Sequence, residues 1–318
     1  MLNSVFALLP MATTSIVLLA CSPERKSGDL FGPSQAGQPV VDGLLIVDRK
    51  LPFLYLRQTQ PPGTPYSRLQ AGIVSANVAI YEGGQVYRYT ADADSHGRHN
   101  PPPNAPMVLP ETTYDLTIEL PDKIITSRTH TPARIHIQSA LLIDERSDEI
   151  LRKLTLFNEG DVYNSPLNQL HYQEGVIELT IDTVDAAGYQ LAILSLDSDS
   201  EFVLEADFLD NDDFEKLERS GSSPPLDFPE GRARLPWFAI AFGGRHLFKL
   251  YALDQHWFDY VRSSFQGGSA FVGGGLAGDN FERPIFNIAG GLGLFGSASV
   301  DSVGFFVLPK TEKQYSSK

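Results

Sequence analysis

The sequence predicts a mainly β protein, an N-terminal immunoglobulin-like or transthyretin-like β-sandwich followed by a larger mixed β domain with few helices. Three observations lead there. Apolar and polar residues alternate strictly in several stretches, most clearly where Tyr114, Leu116, Ile118 and Leu120 interleave with Asp115, Thr117 and Glu119. A period of two belongs to strands that bury one face. Glycine and proline, 27 and 22 residues, punctuate these runs as turns. A chain of 318 residues with 42% hydrophobic side chains is long enough for about two packed units.

Taken in order, residues 1–21 read as a lipoprotein signal peptide. Val5 to Ala20 is apolar apart from Thr13, Thr14 and Ser15, and Pro10 interrupts it, so it is too short for a bilayer span of roughly 20 residues. Met1 to Ser4 carries no Lys or Arg, where such leaders are normally positive. The run closes on Leu18-Leu19-Ala20-Cys21, a lipobox in which the thiol of Cys21 takes a diacylglyceryl group. Cys21 is the single cysteine, so no disulfide pair exists within the chain even in an oxidising compartment. Residues 22–38, rich in Ser, Gly, Pro and Gln, read as a flexible tether.

From 39 to 132 the pattern predicts the sandwich. Val74, Ala76, Val78 and Ile80 lead into a Gly83-Gly84 turn with Val86 to Thr90 as the return strand, and Ile124 to Thr129 pairs with the alternating run before it. Asp92 to Pro110, with three consecutive prolines, reads as a long loop. Residues 133–310 form the larger unit. It opens with a helical expectation over Asp144 to Leu154, from the stripe Ile150, Leu151 and Leu154. Val176 to Ile181 and Leu191 to Leu196 bracket a turn at Ala187-Gly188. Trp237 to Phe242 is expected to pair with Leu247 to Leu253 across Gly243-Gly244, and Asp210 to Pro229 reads as an acidic loop or lid. Asp254 is placed to cap a helix over Gln255 to Ser264. A final strand lies near Val303 to Leu308, and residues 311–318 are a polar tail.

The layout resembles the Gram-negative envelope lipoproteins called domain of unknown function family 4249. The resemblance rests on Asn287-Ile288-Ala289-Gly290-Gly291-Leu292-Gly293-Leu294-Phe295-Gly296, on the aromatic helix residues Trp257-Phe258-Asp259-Tyr260, and on Val40-Val41-Asp42-Gly43 and Val78-Ala79-Ile80. It implies a lipid-anchored outer-membrane protein, acylated with diacylglyceryl and palmitate groups at Cys21, with an accessory role beside a TonB-dependent receptor. It carries over no catalytic residues.

A formal charge of −14 repels phosphate backbones, which argues against nucleic acid. Gly291 to Gly296 satisfies GxGxxG, yet the helix and the later acidic residue of a dinucleotide site are missing, so these glycines are read as allowing close backbone approach. No GxSxG elbow accompanies the seven histidines. His96 with His99, and His130 with His136 around Arg134, offer imidazoles. Asp197, Asp199 and Glu201, followed by Asp207, Asp210, Asp212 and Asp213, offer hard oxygens without the glycine and terminal Glu of an EF-hand. Solvated acids and hydrogen-bonded histidines are the commoner outcome, and no metal, cofactor or catalytic residue is assigned. Tyr163, Tyr172, Trp237, Phe238, Trp257, Phe258 and Tyr260 could stack on a glycan or another ligand or anchor a protein interface, with core packing the default expectation. The resulting expectation is a non-enzymatic, membrane-tethered binding or accessory protein of the outer membrane; the alternatives are a surface hydrolase of glycans or peptides and a purely structural envelope module.

Overall fold

The computed structural model describes residues 36–61, 63–157, 165–204, 218–227, 231–264 and 284–308, with the side chain of Phe238 excepted. Cys21, Tyr163, the acidic residues 207–213 and the polar tail lie outside them. The protein is mainly β, with one large mixed sheet, a second smaller sheet and few helices.

The first half is built from β1 (Pro39–Ile46), β2 (Leu54–Gln58), the one-turn helix α1 (Arg68–Ala71), β3 (Asn77–Glu82), β4 (Gln85–Ala91), β5 (Arg98–Asn100), β6 (Thr113–Glu119) and β7 (Ile124–His130). The predicted alternation is realised in β6, where Tyr114, Leu116 and Ile118 are buried beside Ile125 of β7, Val78 and Ile80 of β3, and Leu54 and Leu56 of β2. Each such side chain contributes roughly 1.5–3 kcal/mol by leaving water. Gly83 and Gly84 both take positive φ in the β3–β4 hairpin, the conformation a two-residue turn between twisted strands requires. The stretch Asp92 to Pro110 is not all loop: Arg98–Asn100 pairs with both β2 and β4.

The second half contains β8 (Ile137–Ile143), β9 (Ile150–Leu154), β10 (Gln169–Leu170), β11 (Val176–Ile181), β12 (Gly188–Ser195), β13 (Ser220–Ser222), β14 (Arg232–Leu235), β15 (Gly244–Leu253), helix α2 (Gln255–Ser264) and β16 (Leu292–Val307). Three sequence expectations are corrected here. Asp144 to Leu154 is not helical but the turn and second strand of a β8–β9 hairpin. Asp144 Oδ1 accepts from the amides of Arg146 and Ser147, and Asp148 adopts φ +58°, local bonds that compete with helix. β11 and β12 do not form one hairpin. β11 joins the small sheet β14-β11-β8-β9, whereas β12 lies between β13 and β15 in the large one, so residues 182–187 cross between layers. Trp237 to Phe242 is not the strand partner of Leu247 to Leu253: Trp237–Ala239 is a 3₁₀ turn, Phe242 bridges to Phe202, and β15 pairs with β12 and β16. Within Asp210 to Pro229, the described part includes the short strand β13.

The second core fills the space between the two sheets. Leu142, Ile177 and Leu179 face Leu191, Phe248, Leu250, Val303 and Phe305, the arrangement of a β-sandwich. β16 unites the halves. Its first part runs parallel to β1, from Val40 opposite Leu292 to Ile46 opposite Ala298, and its second part runs antiparallel to β15, ending at Gly244 opposite Val307. Accordingly Ile288 and Phe295 belong to the first core, while Val303, Phe305 and Val307 belong to the second.

Candidate functional site

Where β16 passes from one core to the other, three segments meet. β1 ends at Ile46, and the amide of Val47 donates to the Ala298 carbonyl at 2.9 Å. Asp48 then turns the chain at φ +61°, a left-handed conformation that Asp tolerates better than most residues. From the other side, residues 131–136 carry the chain out of β7 toward β8. Their backbone is fastened by side chains of β16: the Ile135 amide donates to Ser299 Oγ at 2.9 Å, and the Ile137 amide to Asp301 Oδ2 at 2.7 Å. Val47, Asp48, Arg49, Arg134, Ile135, His136, Ser299, Val300 and Asp301 enclose a cleft of about 200 Å³.

The polar rim of this cleft is organised by one ion pair. Arg134 Nε and Nη2 donate to Asp48 Oδ2 and Oδ1 at 2.6 and 2.8 Å, the bidentate fit of a guanidinium on a carboxylate. That bond is the main reason the Asp48 carboxyl stays below its usual range; the Arg134 and His136 charges act in the same direction and partial burial opposes them. The same bond holds Arg134 more firmly protonated. Asp301 is occupied too, since Oδ1 accepts from the Ser302 amide. The Ser299 hydroxyl is engaged as well, accepting from the Ile135 backbone amide.

Beneath the junction lies a second polar cluster, fully internal. Thr129 Oγ1 donates to Asp254 Oδ2 and sits 2.8 Å from Ser297 Oγ, which donates to the His130 carbonyl at 3.2 Å. Asp254 Oδ1 accepts from the Trp257 amide at 2.8 Å, so Asp254 is the N-cap of α2 as the sequence expects. Burial pushes its carboxyl above the usual range, while Thr129 and the backbone at Trp257 and Ser297 pull the other way. Thus β7, α2 and β16 are pinned together at one point.

The glycine-rich segment leading into and beginning β16 is structural. Gly293 has φ +104°, and a Cβ there would strike the Val41 carbonyl, which is the close backbone approach expected of it. The Asn287 side chain completes the segment, donating to the Phe295 carbonyl at 2.7 Å and accepting from the Phe295 amide at 3.0 Å, as a neighbouring strand would.

The other candidates are dispersed. His99 is buried in β5 and His96 exposed in the turn before it. Neither His99 ring nitrogen has a partner of hydrogen-bonding geometry, and burial lowers its pKa, with the Gly97 carbonyl offsetting part of that. His130 contacts Thr113 Oγ1 at 3.0 Å, and His136 alone of that pair lines the cleft. Asp197 is held by Arg245, whose guanidinium approaches to 2.6 Å. Among the described residues, no group of three or more His, Cys, Asp or Glu is set to hold a metal. Tyr172 meets Trp237 edge-on at 5.4 Å, and Trp257 lies against Tyr251 at 5.8 Å. Sequence reasoning missed Asp48, Ser299 and Asp301, because only the tertiary fold brings residues so far apart to one place. The single hint was Arg134 between two histidines.

The family model described as Domain of unknown function (DUF4249) matches residues 32–303. No curated protein matches the chain. Among solved structures, the chicken CNTN1 FN1–FN3 domains align at 13% identity with a TM-score of 0.22, over 70% of this chain and 62% of that one. A chimeric titin Z1Z2 carrying a KLER exogenous peptide from decorin aligns at 8% identity with a TM-score of 0.19, over 87% of this chain and 100% of that one.

Proposed function

We propose, since this chain belongs to the DUF4249 family, that it is a lipid-anchored outer-membrane protein with a non-enzymatic binding or accessory role beside a TonB-dependent receptor. The observation that carries the reading is Leu18-Leu19-Ala20-Cys21 closing an apolar leader, with Cys21 the single cysteine of the chain. Acylation there fixes the protein to a membrane, and confinement raises the effective concentration of any partner in the same membrane. The two cores are joined through β16, and the junction cleft is read as a place for a small polar solute.

Two measurements test this. Mass spectrometry of the N-terminal peptide should find a diacylglyceryl group and an N-acyl chain on Cys21, and Cys21→Ser should leave an unprocessed precursor; an unmodified Cys21 in the wild type would end the anchoring claim. Capture of the natively tethered protein from solubilised outer membrane should bring a TonB-dependent receptor with it in stoichiometric amount. Recovery of the lipoprotein alone would remove the accessory role.

A further inference from the structure

The strand registers sort the loops of the first half into two opposite ends. Pro39 lies opposite Gln58, so the segment following β2 sits at the end where the described chain begins. Asn77 lies opposite Glu119, and Glu119 opposite Ile124, so the β6–β7 turn shares that end. The junction cleft and the whole second core lie at the other end, because β16 runs parallel to β1 and continues past it. At about 3.3 Å per residue, β16 alone spans roughly 50 Å between the two ends.

The end where the chain enters carries large apolar side chains in solvent. Tyr66, Leu69 and Ile124 are 62%, 66% and 64% exposed, and their loops are braced: Gly37 and Gln38 donate to Thr59, and the Gln60 side chain is bonded to Ser67. Apolar side chains are exposed in the far half too, Ile150 at 64% and Leu167 at 48%, so what distinguishes this end is its place beside the tether and its charge. Fourteen residues separate Ala36 from Cys21, which keeps this end within roughly 50 Å of an acyl group on Cys21 even at full extension. Charge separates the two ends as well. Among the described residues, 137–308 hold 16 acidic and 9 basic side chains and 36–136 hold 9 of each, so anionic headgroups repel the far half more.

We infer that the loops bearing Tyr66, Leu69 and Ile124 seat in the bilayer interface beside the lipid anchor, holding the molecule upright with its acidic half and junction cleft away from the membrane. Apolar side chains enter the acyl boundary and Tyr occupies the headgroup level, the depth it prefers at membrane surfaces. The inference rests on acylation of Cys21 for its proximity, and its test is separable from that reading.

Because acylation consumes the native thiol, Tyr66→Cys introduces one site for an environment-sensitive fluorophore, and Ile150→Cys, 64% exposed in the far half, supplies a control. The acylated protein is reconstituted into phosphatidylethanolamine–phosphatidylglycerol vesicles with brominated acyl chains. The label at 66 should shift to the blue and be quenched by bromine about twofold or more beyond the label at 150. Adding Leu69→Glu and Ile124→Glu should abolish that difference while the melting temperature stays unchanged. Equal quenching at the two sites, or a blue shift at 66 without bromine quenching, which marks a protein contact, overturns the inference. The mass of the N-terminal peptide reports acylation independently. If Cys21 proves unmodified, a Cys21→Ser form labelled at the same two sites and mixed with the vesicles gives the same readout for the loops.

Discussion

The two cores use the same apolar residue types under different constraints. In β6 and β7 burial alternates along the strand, because one face meets the first core and the other meets solvent. In β11 and β12 burial is nearly continuous. β11 has its inner face on the second core and its outer Glu178 covered by Arg234 at 2.8 Å, while β12 lies between β13 and β15 with Gln190 of its outer face bonded to the Ser223 carbonyl. A strand with one wet face writes its orientation into the sequence, whereas a strand covered on both faces does not. The β3–β4 and β6–β7 hairpins of the first half are therefore legible in the sequence, while β2 and the pairing of β5 inside Asp92 to Pro110 are not, and the second half differs from expectation in three places.

The contrast can be broken at the shared strand. Phe305→Ala empties a fully buried site in the second core and is expected to cost about 4 kcal/mol. Because β16 belongs to both cores, Leu116→Ala in the first core should lower the same single transition in chemical denaturation. Two separated transitions, each sensitive to one variant, would show that the halves unfold independently. Gly293→Ala is expected to cost about 3 kcal/mol, since a Cβ meets the Val41 carbonyl and the positive φ is strained; an unchanged midpoint would refute the close approach of β1 and β16.

The halves are also expected to differ in acid. His246 is buried against Phe305 at 5.3 Å, and burial depresses its pKa from 6.5 to about 4. A depressed folded-state value means that stability is fully present above pH 6.5 and is lost as pH falls toward 4, by roughly 2–3 kcal/mol. His246→Gln should flatten that slope in denaturation midpoints measured between pH 7 and 4, while His99→Gln, whose pKa is lowered in the same direction in the first core, should flatten it less. The smallest effect belongs to the point where the halves are pinned. Asp254→Ala removes the cap of α2 and is expected to cost about 1 kcal/mol, read as a shift in the thermal midpoint, with Asp254→Asn recovering most of it.

Composition, period and turn residues were enough for the mainly β class, the β3–β4 and β6–β7 hairpins and the Asp254-capped helix, because each of these is decided by residues within a few positions of one another. The glycine-rich segment announced a close backbone approach, since only glycine permits it, but not that Val41 is the strand it approaches. The exchange of β11 and β12 between sheets and the meeting of Asp48, Arg134, Ser299 and Asp301 were decided by the tertiary structure alone, whereas the hairpin at Asp144 combines local turn bonds with pairing to β8. Those outcomes depend on which surfaces compete for burial between residues distant in the chain, as far as 164 positions for Ile135 and Ser299, and local periodicity carries no record of that competition.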